Sequence, residues 1–172
     1  MTLYIADGAA VNQMRAGGKY PNEDCGESNL RAIGLRFGFD WSVAYIESFM
    51  PWPWNGTDVQ SEVNFLVSHG LPAHRVRSDI ATRVNGAIAR RHVCTSLVRS
   101  DIHGNPTPGG PVGHFLENVS TAAWRVMNPA YGQFIVYPNL TACDGFDGLE
   151  IDKVAPCDQP TGNGDPLEEI AA

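Results

Sequence analysis

The order of hydrophobic periods along the chain predicts an α+β domain, helices first and an antiparallel sheet after them. Three stretches before residue 91 repeat their apolar residues at helical spacing, and the chain beyond it switches to the alternation of short strands. At 172 residues, 43% hydrophobic and 18% charged, with 18 Gly and 12 Pro, the composition suits one turn-rich globular unit with its own core. Residues 1–156 are read as that domain and residues 157–172, rich in Gly, Pro and Asp, as a linker or docking tail.

Residues 1–24 hold too much Gly and Pro around Ala16 to Asn22 for a regular element and read as a lead-in loop. From Asp24, a reasonable N-cap, Leu30, Ile33, Gly34 and Phe37 fall on one helix face and Gly38 ends it. A second helix spans Asp58 to His69, with Val59, Val63, Leu66 and Val67 aligned and Gly70-Leu71-Pro72 as the stop. A third spans Asp79 to Arg90 on Ile80, Val84, Ala87 and Ile88. Strands follow at His92 to Val98, His114 to Val119, Trp124 to Met127 and Gln133 to Tyr137, with residues 101–110 as a long turn. The acidic run Asp144, Asp147, Glu150, Asp152 lacks calcium-loop spacing and reads as a solvated turn.

Twelve Lys and Arg against nineteen Asp and Glu give a net charge of −7, the wrong sign for a phosphate-backbone binder, so nucleic acid is not an expected partner. No apolar run approaches the length of a membrane span, and the first residues lack the basic start of a secretory signal. If the protein acts outside a cell, something other than a secretory signal at these residues is expected to export it. The four cysteines, Cys25, Cys94, Cys143 and Cys157, include no Cys-x-x-Cys pair. A Cys143–Cys157 disulfide, contributing about 3 kcal/mol in an oxidising setting, stands against two free thiols. His92 and Cys94 share a strand face, but no further pair completes a metal site.

Cys25 is the sharpest chemical signal. In the first turn of a helix a thiol feels the partial positive charge of unpaired N–H groups, which favours thiolate, and its polar flanks place it at a surface or cleft. Gly26 beside it would admit a substrate close to the backbone. A semi-buried structural cysteine is the other reading. Among five histidines, His69 sits at a helix end, His74 and His92 beside arginines, and His103 in a turn. His114 follows a glycine-rich loop and opens an apolar strand, where a sheet holds it at an accessible edge. A base needs an orienting acceptor, and Asn128 lies one hairpin away, directly before Pro129. Trp52 and Trp54 form either an aromatic ledge for a glycan or stem peptide or a Pro-stiffened loop that plugs the core.

Asp24 to Gly38, with Cys25-Gly26 opening an apolar helix, resembles the nucleophile helix of the C39 and C39-like papain-fold cysteine peptidases. Gly113-His114-Phe115 and Asn128-Pro129-Ala130-Tyr131-Gly132 resemble the same family's histidine strand and the turn that follows it. The resemblance covers roughly residues 10–137 and implies a papain-like fold. It also implies Cys25 as nucleophile, His114 as general base and acid, Asn128 as orienting residue, and no metal or cofactor. The family usually has Asp where Asn128 stands. Its oxyanion-hole glutamine commonly lies closer to the cysteine than Gln13, which is matched to that role across an extra loop at residues 16–21. Exporter-linked members cut leader peptides but carry membrane and ATPase segments, and this chain has neither a membrane run nor a phosphate loop. Stand-alone C39-like domains occur in phage lysins and virion-associated wall hydrolases. The resemblance therefore implies cleavage of peptidoglycan stem peptides, with phage structural proteins as further partners; Gly26, Gly113, Trp52 and Trp54 are the candidate substrate contacts. A catalytically weak or inactive copy, serving as a virion component or peptide-binding module, is the alternative. A transglutaminase-like or CHAP-type enzyme would share the chemistry.

Overall fold

The computed structural model describes residues 4–120 and 124–156. The expected docking tail and Cys157, with its proposed bridge to Cys143, lie outside the described residues. Four helices, α1 (Cys25–Arg36), α2 (Val43–Glu47), α3 (Val59–Ser68) and α4 (Ile80–Ala89), accompany six strands: β1 (Ala73–Val76), β2 (His92–Ser100), β3 (Val112–Asn118), β4 (Arg125–Asn128), β5 (Gln133–Val136) and β6 (Asp144–Val154). The strands form one sheet in the order β1-β6-β2-β3-β4-β5, and every neighbouring pair is antiparallel. This is the α+β arrangement that the periodicity predicts.

The helices start where short polar side chains satisfy first-turn donors. Ser42 accepts from Tyr45 N, Asp58 from Ser61 N and Asp79 from Thr82 N. Asp24 occupies the N-cap position of α1 but makes no side-chain capping bond. Leu30 and Ile33 of α1, Val59, Val63 and Leu66 of α3, and Val84 and Ile88 of α4 join the buried core with Val98, Leu116 and Leu149 of the sheet. Val67, expected on the apolar face of its helix, is 54% exposed. Among the described residues, no helix is long and apolar enough to cross a membrane.

Three elements depart from expectation. The acidic run is a strand, not a turn: β6 lies between β1 and β2 and is the longest in the sheet. Its carboxylates are answered by cations from the elements beside it. Asp147 pairs with Arg75 at 2.9 and 2.6 Å, Asp144 lies 3.6 Å from Arg83 and accepts from Ile80 N, and Glu150 pairs with Arg90. Gly and Asp have low strand propensity, yet here cross-strand pairing outweighs it. The strand β1 and the short helix α2 also form in segments whose sequence carries no strong periodic signal.

Arg36, at the end of α1, and Glu117, on β3, form a buried ion pair at 2.7 Å, with side chains 0% and 1% exposed. Removing one partner of such a pair strands the other charge. Glu117→Ala is expected to lower unfolding stability by about 3–5 kcal/mol, measured by urea denaturation with unchanged m-value.

Candidate active site

The α1 helix lies across β3, so its N-terminal turn meets the strand at Phe115. Asn29, one turn into the helix, donates from Nδ2 to the Cys25 carbonyl at 2.9 Å and to the Phe115 carbonyl at 2.8 Å. Cys25 and His114 thereby line one cleft of about 1030 Å³, together with Gln13, Gly113, Asp101, Gly104 and Tyr131.

The imidazole of His114 is 4% exposed, and its Nε2 meets Asn128 Oδ1 at 2.7 Å. The orientation of the Asn128 amide is set by all its neighbours. Its Nδ2 donates to the Gly104 carbonyl at 3.0 Å and to Tyr137 Oη at 2.8 Å, while Oδ1 also accepts from Ala130 N at 3.0 Å. A flipped amide would face a carbonyl with a carbonyl, so Oδ1 must point at the ring. It follows that His114 Nε2 carries the hydrogen and Nδ1 holds the free lone pair. Gly104 has φ +82°, and a Cβ there would stand 2.5 Å from Ala130 Cβ and 3.1 Å from His114 Nε2, so only glycine brings this carbonyl to Asn128. Asp101 holds the same loop by accepting from the N–H groups of His103 and Asn105.

Burial lowers the His114 pKa below its ordinary 6.5, with the Asn128 bond and the Asp101 charge acting the other way. The Cys25 thiol moves opposite to the helix-terminus expectation. Burial pushes it up to about 12, the backbones of Phe115 and Gly26 oppose this, and the charges of Glu27 and Glu62 add to it. At rest the pair is a neutral thiol and a neutral imidazole.

Asn22 and Glu23 before Cys25 are exposed and line the cleft, but the polar residues next to it and after it turn inward. Asp24, Glu27, Ser28 and Asn29 are all fully buried, and Glu62 and Glu47 approach from α3 and α2. Burial lifts Asp24 to about 9 and Glu27 to about 7, and raises Glu62 well above its ordinary value. Only Glu47 meets donors from the loop before α1, accepting from Lys19 N at 3.0 Å and Tyr20 N at 3.3 Å. Periodicity could not reveal this cluster, because alternating Asp, Glu and Asn reads as solvated wherever it occurs.

The other expected site residues separate. Gln13 is 7% exposed and lines the cleft; its Nε2 donates to the Pro21 carbonyl at 3.0 Å and keeps a second hydrogen, and its backbone N–H binds the Pro129 carbonyl at 2.8 Å. Gly113 lines the cleft, whereas Gly26 is buried and a Cβ there would strike Thr57 and Glu62. Its small size serves helix packing. Trp52 and Trp54 are 60% and 58% exposed, so they do not plug the core. They stand outside the cleft wall on the loop that continues into its lining residues Asn55, Gly56 and Thr57.

Two solved structures share this architecture. The peptidase domain of Streptococcus ComA, a bifunctional ABC transporter involved in a quorum-sensing pathway, superposes with TM-score 0.64 at 13% identity, covering 86% of this chain and 98% of that one. The chain has the C39 peptidase fold. A Bacillus anthracis protein described as a C39-like peptidase gives TM-score 0.63 at 8% identity, covering 91% of this chain and 100% of that one. No family model and no curated protein matches the sequence. As expected from the sequence, helices lead and an antiparallel sheet follows, except that β1 forms before α4; the cleft lies where α1 meets β3.

Two outcomes follow from these pKa shifts. Because the Cys25 pKa is raised, thiolate accumulates only toward alkaline pH. Alkylation of Cys25 by iodoacetamide, read by peptide mass mapping, should be slow at pH 7 and climb steadily with pH, without a plateau in the acidic range. For Glu27, the folded pKa of about 7 exceeds its ordinary 4.5, so the native state binds more protons between those values. Its contribution is therefore full below pH 4.5 and lost as pH rises through 7. Across that window the wild type should lose stability relative to Glu27→Gln in urea titrations.

Proposed function

We propose that the chain is a cysteine peptidase that cuts peptide bonds in the stem peptides of bacterial peptidoglycan, as a phage lysin or tail-associated wall hydrolase. The observation that carries the peptidase reading is the oriented His114–Asn128 pair sharing a cleft with Cys25. His114 Nδ1, left with its lone pair, takes the thiol proton as Cys25 Sγ attacks the substrate carbonyl carbon. The oxyanion is held by the Cys25 backbone N–H and by the second hydrogen of Gln13 Nε2. The imidazolium then gives its proton to the leaving amine as the C–N bond breaks. Water, deprotonated by His114, hydrolyses the thioester, releases a carboxylate and restores the thiol. Asn128 keeps the ring in the required tautomer throughout. The raised thiol pKa places proton transfer in the chemical step rather than in a resting ion pair.

The wall-peptide reading rests on less. Among the described residues, no Lys or Arg lines the cleft, whose wall mixes small, amide and apolar residues with Glu23 and Asp101, a lining suited to a neutral or amine-bearing stem peptide. Trp52 and Trp54 offer exposed faces at its border for a sugar ring or stem.

The deciding assay is release of free amines from purified actinobacterial and other Gram-positive peptidoglycan under reducing conditions, by wild type and Cys25→Ala. Release by wild type alone supports the reading. No release by either protein leaves the inactive C39-like module, used as a virion part or peptide binder, as the better account. In the active case Gln13→Ala should lower kcat by about 100- to 1000-fold, while Trp52→Ala raises KM for wall fragments and leaves kcat in place.

A further inference from the structure

We infer that His92, Glu150 and Asp152 form a binding site for one divalent cation of the zinc class, outside the cleft. Glu150 and Asp152 alternate along β6 and so share a face, and His92 begins the neighbouring strand β2. One donor atom from each of the three lies within 4.8 Å of the others. An ion about 2.0–2.2 Å from each ligand would close that triangle with small side-chain shifts. Among the described residues, no other group of three such side chains meets this spacing. None of the three lines the catalytic cleft.

A fourth residue supports the set from outside. His74 stands on β1 directly opposite Glu150, and its Nδ1 lies 2.8 and 2.9 Å from the two oxygens of Asp152. Carboxylates that ligate a metal are themselves held by hydrogen bonds, and His74 supplies such a bond to Asp152.

The charge now balancing the site is of a kind that a metal ion can displace. Arg90 donates from Nε and Nη2 to Glu150 at 2.9 and 2.5 Å, and His92 Nδ1 lies 2.6 Å from the same carboxylate. The Glu150 side chain is 3% exposed, but that of Arg90 is 56% exposed at the C-terminal cap of α4. The carboxylate is fixed while the guanidinium sits on a flexible stem with open water behind it. Arg90 brings one positive charge against two carboxylates, and a divalent ion brings two. Mixed imidazole and carboxylate ligands favour zinc, cobalt or nickel over calcium or magnesium. Asp152, with its side chain 39% exposed, is the side open to solvent for entry and for a water in the fourth position.

The test uses the full chain carrying Cys25→Ser, so that the cleft thiol does not compete. Zinc affinity is read by competition with a chromophoric chelator, and cobalt loading by visible absorption. The site predicts one equivalent bound, with no thiolate-to-cobalt charge-transfer band. Asp152→Asn and His92→Gln should each weaken binding about tenfold or more, whereas Arg90→Ala should tighten it by removing the competing cation. His74→Ala, at a half-exposed side chain, should weaken binding without lowering the zinc-free melting temperature. Affinity unchanged in Asp152→Asn and His92→Gln, or no zinc bound even by Arg90→Ala, overturns the site. Either result is independent of peptidase activity.

Discussion

The side-chain amide of Asn29 spans the seam between α1 and β3, tying the Cys25 carbonyl to the Phe115 carbonyl, and at the other end of the helix Arg36 reaches Glu117 on the same strand. A helix held at one point can roll or slide, whereas two polar anchors about two turns apart fix both its axis and its rotation. Because both anchors are buried, each is specific: any other rotation would strand a charge or an amide away from water. The apolar residues between them, Leu30 and Ile33, then fill the seam without having to determine its register. The position of the thiol relative to the histidine strand is inherited from this seam.

On the far side of the cleft the same logic runs through hydrogen bonds alone. His114 is oriented by Asn128, Asn128 by Gly104 and Tyr137, and the Gly104 loop by Asp101. The Gly104 carbonyl can only accept and the Ala130 N–H can only donate, so these two fix the Asn128 amide and through it the tautomer of the ring. The cost is borne on the nucleophile side, where Asp24, Glu27 and Glu62 are buried with no basic partner of their own beside them. Burial is what holds the Cys25 thiol in its neutral form, and the charges of Glu27 and Glu62 add to it.

The part of the fold legible in the sequence is the part written in periodicity. The three long helices and strands β2 to β5 follow from apolar spacing, but the cap expected at Asp24 makes no side-chain bond, while Asp58 and Asp79 do cap their helices. The strand β6 is hidden because its Asp144, Asp147, Glu150 and Asp152 read as solvated, whereas Arg75, Arg83 and Arg90 come from distant segments to answer the first three. The same blindness covers the carboxyls around Cys25, since nothing local distinguishes a buried Glu27 from an exposed one. In the candidate site, His114 and Asn128 were readable because one hairpin joins them. Gln13 was placed only through the resemblance, and the raised thiol pKa is a product of burial that no helix-terminus rule contains.

The strand order also bears on behaviour at high concentration. The long strands β2 and β6 are interior, and the two edges of the sheet are β1 and β5, four residues each. One edge carries His74 and Arg75, and the other is followed within two residues by Pro138. Short, charged or proline-bounded edges offer a poor template for a neighbour's backbone. Many copies can therefore be packed side by side, as on a crowded surface, without their sheets joining into a continuous ribbon.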